Sequence, residues 1–221
     1  MNKMNNRDLS KVFLKGQILT SYSGLMYLKP YKVGELVLTS GKLVACDPLV
    51  FAGTEPFKAN LAPGSYPVIL SLAYKQDEKY PLVAFAKLCL SDKNPVRWEL
   101  ATKAGEDLAC LKDNEVFGYG VDSGIGCFMD VDASQILIDD TWQHCEVYEE
   151  TLACKLDQLL EEKNDIGIMY TNMCVNEVTG ANIIAFSVGI GDGFYSSYFG
   201  YGADNSIVEV VTTCISMPDN Y

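Results

Sequence analysis

PGSYPVILSLAYKQDEKYPLVAFAKLCLS, residues 63–91, is the stretch on which the fold turns. A Pro-Gly pair opens it, an apolar run passes from Tyr66 to Tyr74, QDEK gives a polar connection, and a second apolar run follows. Two such runs, rich in β-branched and aromatic residues and joined by a short polar link, predict an antiparallel hairpin. Upstream, ELVLTSGKLVACDP (35–48) reads as another pair of strands joined at Ser40-Gly41, with Asp47-Pro48 marking the exit. Downstream, NPVRWELAT places Val96, Trp98 and Leu100 on one face and Arg97 and Glu99 on the other, as in a half-buried strand.

Helical periodicity is scarcer. Residues 6–14 predict a short amphipathic helix capped by Asn6 or Asp8, with Leu9, Val12 and Phe13 on its apolar face. Residues 146–163 predict the one long helix, in which Val147, Leu152, Leu156, Leu159 and Leu160 form a stripe between carboxylates suited to covering a sheet. Four strand-like runs then read as a C-terminal meander. The expected fold is α+β and mainly β: antiparallel sheets, sandwich-like or curved and barrel-like, with one long covering helix and a short N-terminal helix. It is expected as a single domain over 1–221, divided into an N-terminal extension (1–30), hairpins (35–130), the helix (140–164) and the meander (166–217).

Composition narrows function. Twenty-nine acidic against 17 basic residues give a formal charge of -12, which disfavours nucleic acid, whose phosphates are bound by Lys and Arg. A basic protein, a cation or a neutral small molecule stays open as partner. The eight cysteines are scattered without a C-x-x-C pair, so they read as small buried hydrophobes of a reducing compartment. The apolar runs are too short to span a membrane and no signal core opens the chain, so a cytosolic protein is expected, with oligomeric state undetermined.

One phrase occurs twice: FGYGVDSG at 117–124 and FGYGADNS at 199–206. Each places an aromatic strand before an Asp-led turn and an apolar strand after it, so both read as hairpins, with Asp122 and Asp204 accepting backbone hydrogen bonds. With GKLVACDPL, PGSYPVILS, PVRWELA and GDGFYSSYFGYGAD, this phrase resembles the bacterial family catalogued as domain of unknown function 4241, in order from about residue 41 to 216. That resemblance implies one whole-chain domain and supplies no activity, cofactor or catalytic residue. The second phrase departs from the family pattern: Gly202 is inserted, and Asn205-Ser206 stands where Asp-Gly is usual.

The chemistry available is limited. Asp47, Asp122, Asp130, Asp192 and Asp204 lie beside glycines or turns, and Asp122, Asp130 and Asp192 are the candidate ligands for Ca²⁺ or Mg²⁺, although no cofactor is predicted. DVDASQILIDDT starts like a calcium loop at Asp130 and Asp132 but lacks the glycine and the closing glutamate. GIGDGF and GVDSGIG lack a phosphate fingerprint. His144 is the single histidine, and pairing it with Cys127, Cys145, Ser123 or Ser196 has no motif behind it. Tyr119, Tyr195, Tyr198 and Tyr201 are candidate recognition tyrosines, with Phe194, Tyr198 and Gly200 on one strand face and Tyr195, Phe199 and Tyr201 on the other. The expected function is a non-enzymatic binding module presenting these Gly, aromatic and Asp hairpins to a protein partner. The alternative is a carboxylate-based, divalent-cation-dependent hydrolase or ligand-binding protein, so enzyme status is undecided.

Overall fold

The computed structural model describes residues 8–21, 24–112, 115–144, 146–162 and 164–215. In chain order they form β1 (Ile18–Ser21), β2 (Gly24–Leu38), β3 (Leu43–Cys46), β4 (Gly64–Lys75), β5 (Leu82–Cys89), β6 (Arg97–Leu100), β7 (Tyr119–Val121), β8 (Ile125–Asp130), α1 (Val131–Gln143), α2 (Leu152–Leu160), β9 (Tyr170–Asn176), β10 (Ala181–Ser187), β11 (Gly193–Tyr195), β12 (Ser197–Tyr201) and β13 (Ile207–Thr213). The 63–91 stretch is the antiparallel hairpin β4–β5, with Val68 opposite Leu88 and Leu70 opposite Ala86.

That hairpin lies inside a curled seven-stranded antiparallel sheet of order β1-β2-β4-β5-β13-β12-β6. A four-stranded sheet, β3-β8-β10-β9, packs across its inner face, and β7 pairs with β11 in a small ribbon. Leu36, Val68, Leu70, Leu88 and Val210 from the large sheet meet Ala45, Phe128, Ile184 and Phe186 from the small one. The small sheet is apolar on both faces, because α1 and α2 cover the other side: Val44, Cys127, Met129 and Ile183 pack on Ala133, Leu137, Leu156 and Leu160. On the outer face of the large sheet, a 3-10 turn at Leu9–Phe13 lays Leu9, Val12 and Phe13 over Met26, Leu28 and Phe85, and Asp8 caps it through the Ser10 amide. The predicted N-terminal element is therefore present from Asp8 on; Asn6 lies outside the described residues.

Four local readings change. Ser40-Gly41 is a corner between sheets rather than a hairpin turn, since β2 belongs to the large sheet and β3 to the small one. Gly41 is required there: its φ is +81°, and a Cβ would lie 2.1 Å from the Leu61 carbonyl oxygen. The predicted helix over 146–163 is α2 preceded by a 3-10 turn at Tyr148–Glu150, because the Thr151 side chain accepts from the Cys154 amide and starts a fresh helix. The stretch that imitates a calcium loop is α1, N-capped by Asp130. The C-terminal runs are shared among all three sheets: β9–β10 in the small one, β11 in the ribbon and β12–β13 in the large one.

Residues 57–61 stitch one side of the sandwich. The Phe57 amide donates to the Leu43 carbonyl at 2.9 Å and the Leu61 amide to Gly41 at 2.8 Å, occupying the free edge of β3, while Lys58 donates to Thr102 beyond β6 at 2.8 Å. On the other side, Asn182 accepts from the Val37 amide at 2.8 Å and donates to the Glu35 carbonyl at 2.8 Å, and the Tyr31 and Tyr170 hydroxyls meet at 3.1 Å.

Two buried carboxylates hold the corners. Asp130 accepts from the amides of Ser40 (3.1 Å), Gly41 (3.0 Å) and Asp132 (3.0 Å) and from the Ser40 hydroxyl (2.7 Å). Asp47 accepts from the amides of Leu49 (3.0 Å), Val50 (3.2 Å), Asp122 (3.0 Å) and Ser123 (2.8 Å). Hydrogen bonds to a charged acceptor contribute about 1.5–3 kcal/mol each, and orphaned buried amides add their desolvation cost. Asp130→Ala and Asp47→Ala are each expected to lower stability by about 3 kcal/mol or more. Asp122→Ala, which keeps its amide, is expected to stay within about 0.5 kcal/mol of the parent. Urea unfolding midpoints check all three.

Candidate functional site

The carboxylates singled out for a metal do not assemble into one centre. Asp130 is buried and spends its oxygens on the 39–41 corner and the start of α1. Asp122 is exposed and engages Asp47 through its amide. Asp192 is exposed beside it in topology, since Gly193 is the register partner of Val121 at the ribbon's end. Asp204 lies at the β12–β13 tip, past the far end of the run that begins at β11; there it accepts from the Ser206 amide and hydroxyl and pairs with Lys93 at 2.5 Å. The Lys93 ammonium and the Ser206 donors hold its carboxyl well below the usual carboxylate range. Among the described residues, no group of three His, Cys, Asp or Glu side chains is placed to hold a metal ion.

The repeated phrase therefore makes two different structures. The second copy is a true hairpin tip, with Asn205 in the left-handed region at φ 60°. The first is a corner from the ribbon into the small sheet, pinned by Asp47. Their common glycines serve close packing: a Cβ on Gly118 would lie 2.2 Å from the Tyr195 carbonyl oxygen, and one on Gly200 would lie 2.9 Å from the Trp98 ring.

The tyrosines are placed mainly as core. Tyr119 and Tyr195 pack with Phe199 between the sheets, and Tyr198 packs with Trp98 and Leu100 on the outer face of the large sheet. Both faces of the 194–201 run are thus covered, and Phe194 is the aromatic it leaves exposed. Tyr201 is half-buried, with the Arg97 guanidinium 3.7 Å above its ring. His144 closes α1: its Nδ1 lies 3.1 Å from the Asp140 carbonyl oxygen and 3.3 Å from the Asp140 carboxylate, which also accepts from the Leu152 amide. Cys145 lies outside the described residues.

A different surface stands out once charge is mapped onto the fold. Residues 130–162, which contain α1 and α2, carry ten acidic residues and one lysine, a net -9 of the chain's -12. On this layer Trp142 is 76% exposed and Tyr148 52%, with Val147 also exposed, among exposed Asp139, Glu146, Glu149 and Glu150. Isolated exposed apolar residues are ordinary, but an exposed tryptophan and tyrosine within the most acidic segment form a distinct feature. The signal was readable in the sequence as the clustering of carboxylates around TWQHCEVYEE; the exposure of Trp142 was not, because its position on α1 relative to the sheet had to be known.

Burial pushes the Tyr195 phenol up to about 12 and also raises that of Tyr119 well above its ordinary value. An unfolded tyrosine ionises near pH 10, so stability tied to these protonated phenols is complete below about pH 10 and is lost as the pH rises through about 12. Tyr195→Phe is expected to flatten the decline in unfolding free energy across that window, measured by urea titrations at a series of alkaline pH values.

Comparison with known proteins matches residues 36–212 to the model of a protein family of unknown function, DUF4241. No curated protein and no solved structure matches the chain. The matched region runs from the last residues of β2 into β13 and takes in the small sheet, most of the large one, both helices and both copies of the repeated phrase, so the chain belongs to the DUF4241 family.

Proposed function

We infer that the protein is a non-enzymatic binding module whose recognition surface is the acidic helical layer, and that its partner is a Lys- or Arg-bearing protein segment. The carrying observation is the coincidence of net charge -9 over 130–162 with the exposed rings of Trp142 and Tyr148. Carboxylates raise the local concentration of a cationic partner, and an aromatic face accepts an ammonium or guanidinium with about 0.5–2 kcal/mol of cation–π attraction. Burial of Tyr119, Tyr195 and Tyr198 supports moving recognition from the glycine-aromatic hairpins to the helices. The free cysteines among the described residues, Cys46, Cys127, Cys154 and Cys214 being buried, support a reducing, cytosolic setting. Among the described residues no helix is long and apolar enough to cross a membrane.

A second reading, a divalent cation held at the ribbon end, has in its favour the adjacency of exposed Asp122 and Asp192. Calcium or magnesium in excess would then raise the melting temperature by mass action. An unchanged melting temperature counts against it.

Trp98 is buried, so Trp142 is the exposed indole and serves as an intrinsic probe. Adding an Arg- and Lys-rich peptide is expected to change Trp142 fluorescence, with affinity falling about tenfold or more from low to moderate salt. Glu149→Lys with Glu150→Lys is expected to weaken binding about tenfold. Equal affinity in parent and charge-reversed protein would overturn the reading.

A further inference from the structure

The opposite charge is concentrated elsewhere on the same chain. Residues 8–33 carry Lys11, Lys15, Lys29 and Lys32 against Asp8 alone, a net +3 in a protein of net -12. They form the 3-10 turn, β1 and most of β2, and β1 is an edge of the large sheet.

Among the described residues, the hydrogen bonds that join β2 to the small sheet lie at Tyr31, Glu35 and Val37, where Tyr170, Asn172 and Asn182 meet them. Further toward the N-terminus, Met26 and Leu28 point into the core over Phe13, so Leu25, Tyr27 and Lys29 share the opposite face. That face is bare: Leu25 is 57% and Tyr27 49% exposed, and Ile18, the cross-strand partner of Tyr27, is 49% exposed. Lys15 and Lys29 are exposed and make no ion pair among the described residues. Unlike β3, whose edge is occupied by residues 57–61, β1 carries neither Pro nor Lys on its four residues, Ile-Leu-Thr-Ser.

We propose that the occupant of the acidic helical face is the basic β1–β2 edge of a second copy of this chain, an inference that rests on the helical-layer reading above. The two faces match in both respects that matter. One offers Ile18, Leu25 and Tyr27 beside Lys15 and Lys29, and the other offers Trp142, Val147 and Tyr148 beside Asp139, Glu146, Glu149 and Glu150. Like faces repel, so the contact is heterologous, head to tail; it builds a ring where the rotation closes and a filament where it does not. Charge sets the register and the association rate, and the apolar centre supplies the hydrophobic contribution.

Sedimentation velocity of the full chain over a concentration series tests this at low and high salt. The expected result is concentration-dependent assembly at about 50 mM salt that dissolves at about 500 mM, where the Debye length is only a few ångströms. Lys15→Ala with Lys29→Ala, and Trp142→Ala with Glu149→Ala and Glu150→Ala, are each expected to be monomeric alone. Their equimolar mixture is expected to give a 1:1 dimer and nothing larger, because each variant keeps the one face that the other needs; the mixture also shows that both variants are folded. A parent chain that stays monomeric at low salt overturns the inference, as does assembly that both variants retain. In the parent and the lysine variant the Lys- and Arg-rich peptide is titrated against Trp142 fluorescence. Peptide binding by a monomeric parent removes only the second copy as occupant, and loss of peptide binding removes the helical-layer reading as well.

Discussion

The buried carboxylate of Asp130 is the constraint on which the rest of the architecture depends. A chain that passes from one sheet to another must turn sharply and leave several amides without a strand to pair with. At residues 39–41 those amides converge on an acceptor 89 residues away from Gly41, one that also begins α1. One side group therefore fixes the corner between the sheets, the end of β8 and the first turn of the covering helix together. Asp47 does the same for the corner at Asp122 and Ser123, 75 and 76 residues away. The two acids stand where a cation-binding role was expected of aspartates, and their oxygens are used by the backbone instead.

How much of this was legible follows from the range of each interaction. The β4–β5 hairpin, the alternation in β6 and the apolar face of Leu9, Val12 and Phe13 are local patterns, and they are found where the sequence puts them. The corner at Ser40-Gly41 looks like a hairpin because Ser-Gly between apolar runs is the same signal in both settings; what separates them is the distant carboxylate. Helix α1 was hidden by its acidic start and by a thin apolar stripe, chiefly Ala133 and Leu137. The repeated FGYG phrase marked tight packing against Tyr195 and Trp98, not a shared ligand. The exposed position of Trp142 had no local signature, since a tryptophan in an amphipathic run normally belongs to the core.

Charge is distributed by layer. The helices that cover the small sheet need only one apolar stripe each, and their remaining positions are free to be acidic. The edge at β1 and β2 is the basic end of the same molecule. Between them the sheets enclose a nearly all-apolar interior, and Lys87 pairs with Glu209 at 3.2 Å on the outer face of β5 and β13, where its ammonium also lies over the Phe13 ring. A dipolar arrangement of this kind gives an orientation to any approach by a charged body, which net charge alone does not.

The order of strands in the large sheet has a consequence for synthesis. Strand β13 lies between β5 and β12, and β12 alone links it to β6, so an interior position of the sheet is filled by the last of the described strands. Until β13 has left the ribosome, β5 presents an open edge, and β6 with its neighbour β12 has no link to the rest of the large sheet. Strands β1, β2, β4 and β5 can pair as they emerge, but the large sheet closes only after translation has passed both helices and the ribbon. Such late, long-range pairing delays completion of the sheet until most of the chain has been made, and the nascent molecule spends that interval with the β5 edge unpaired.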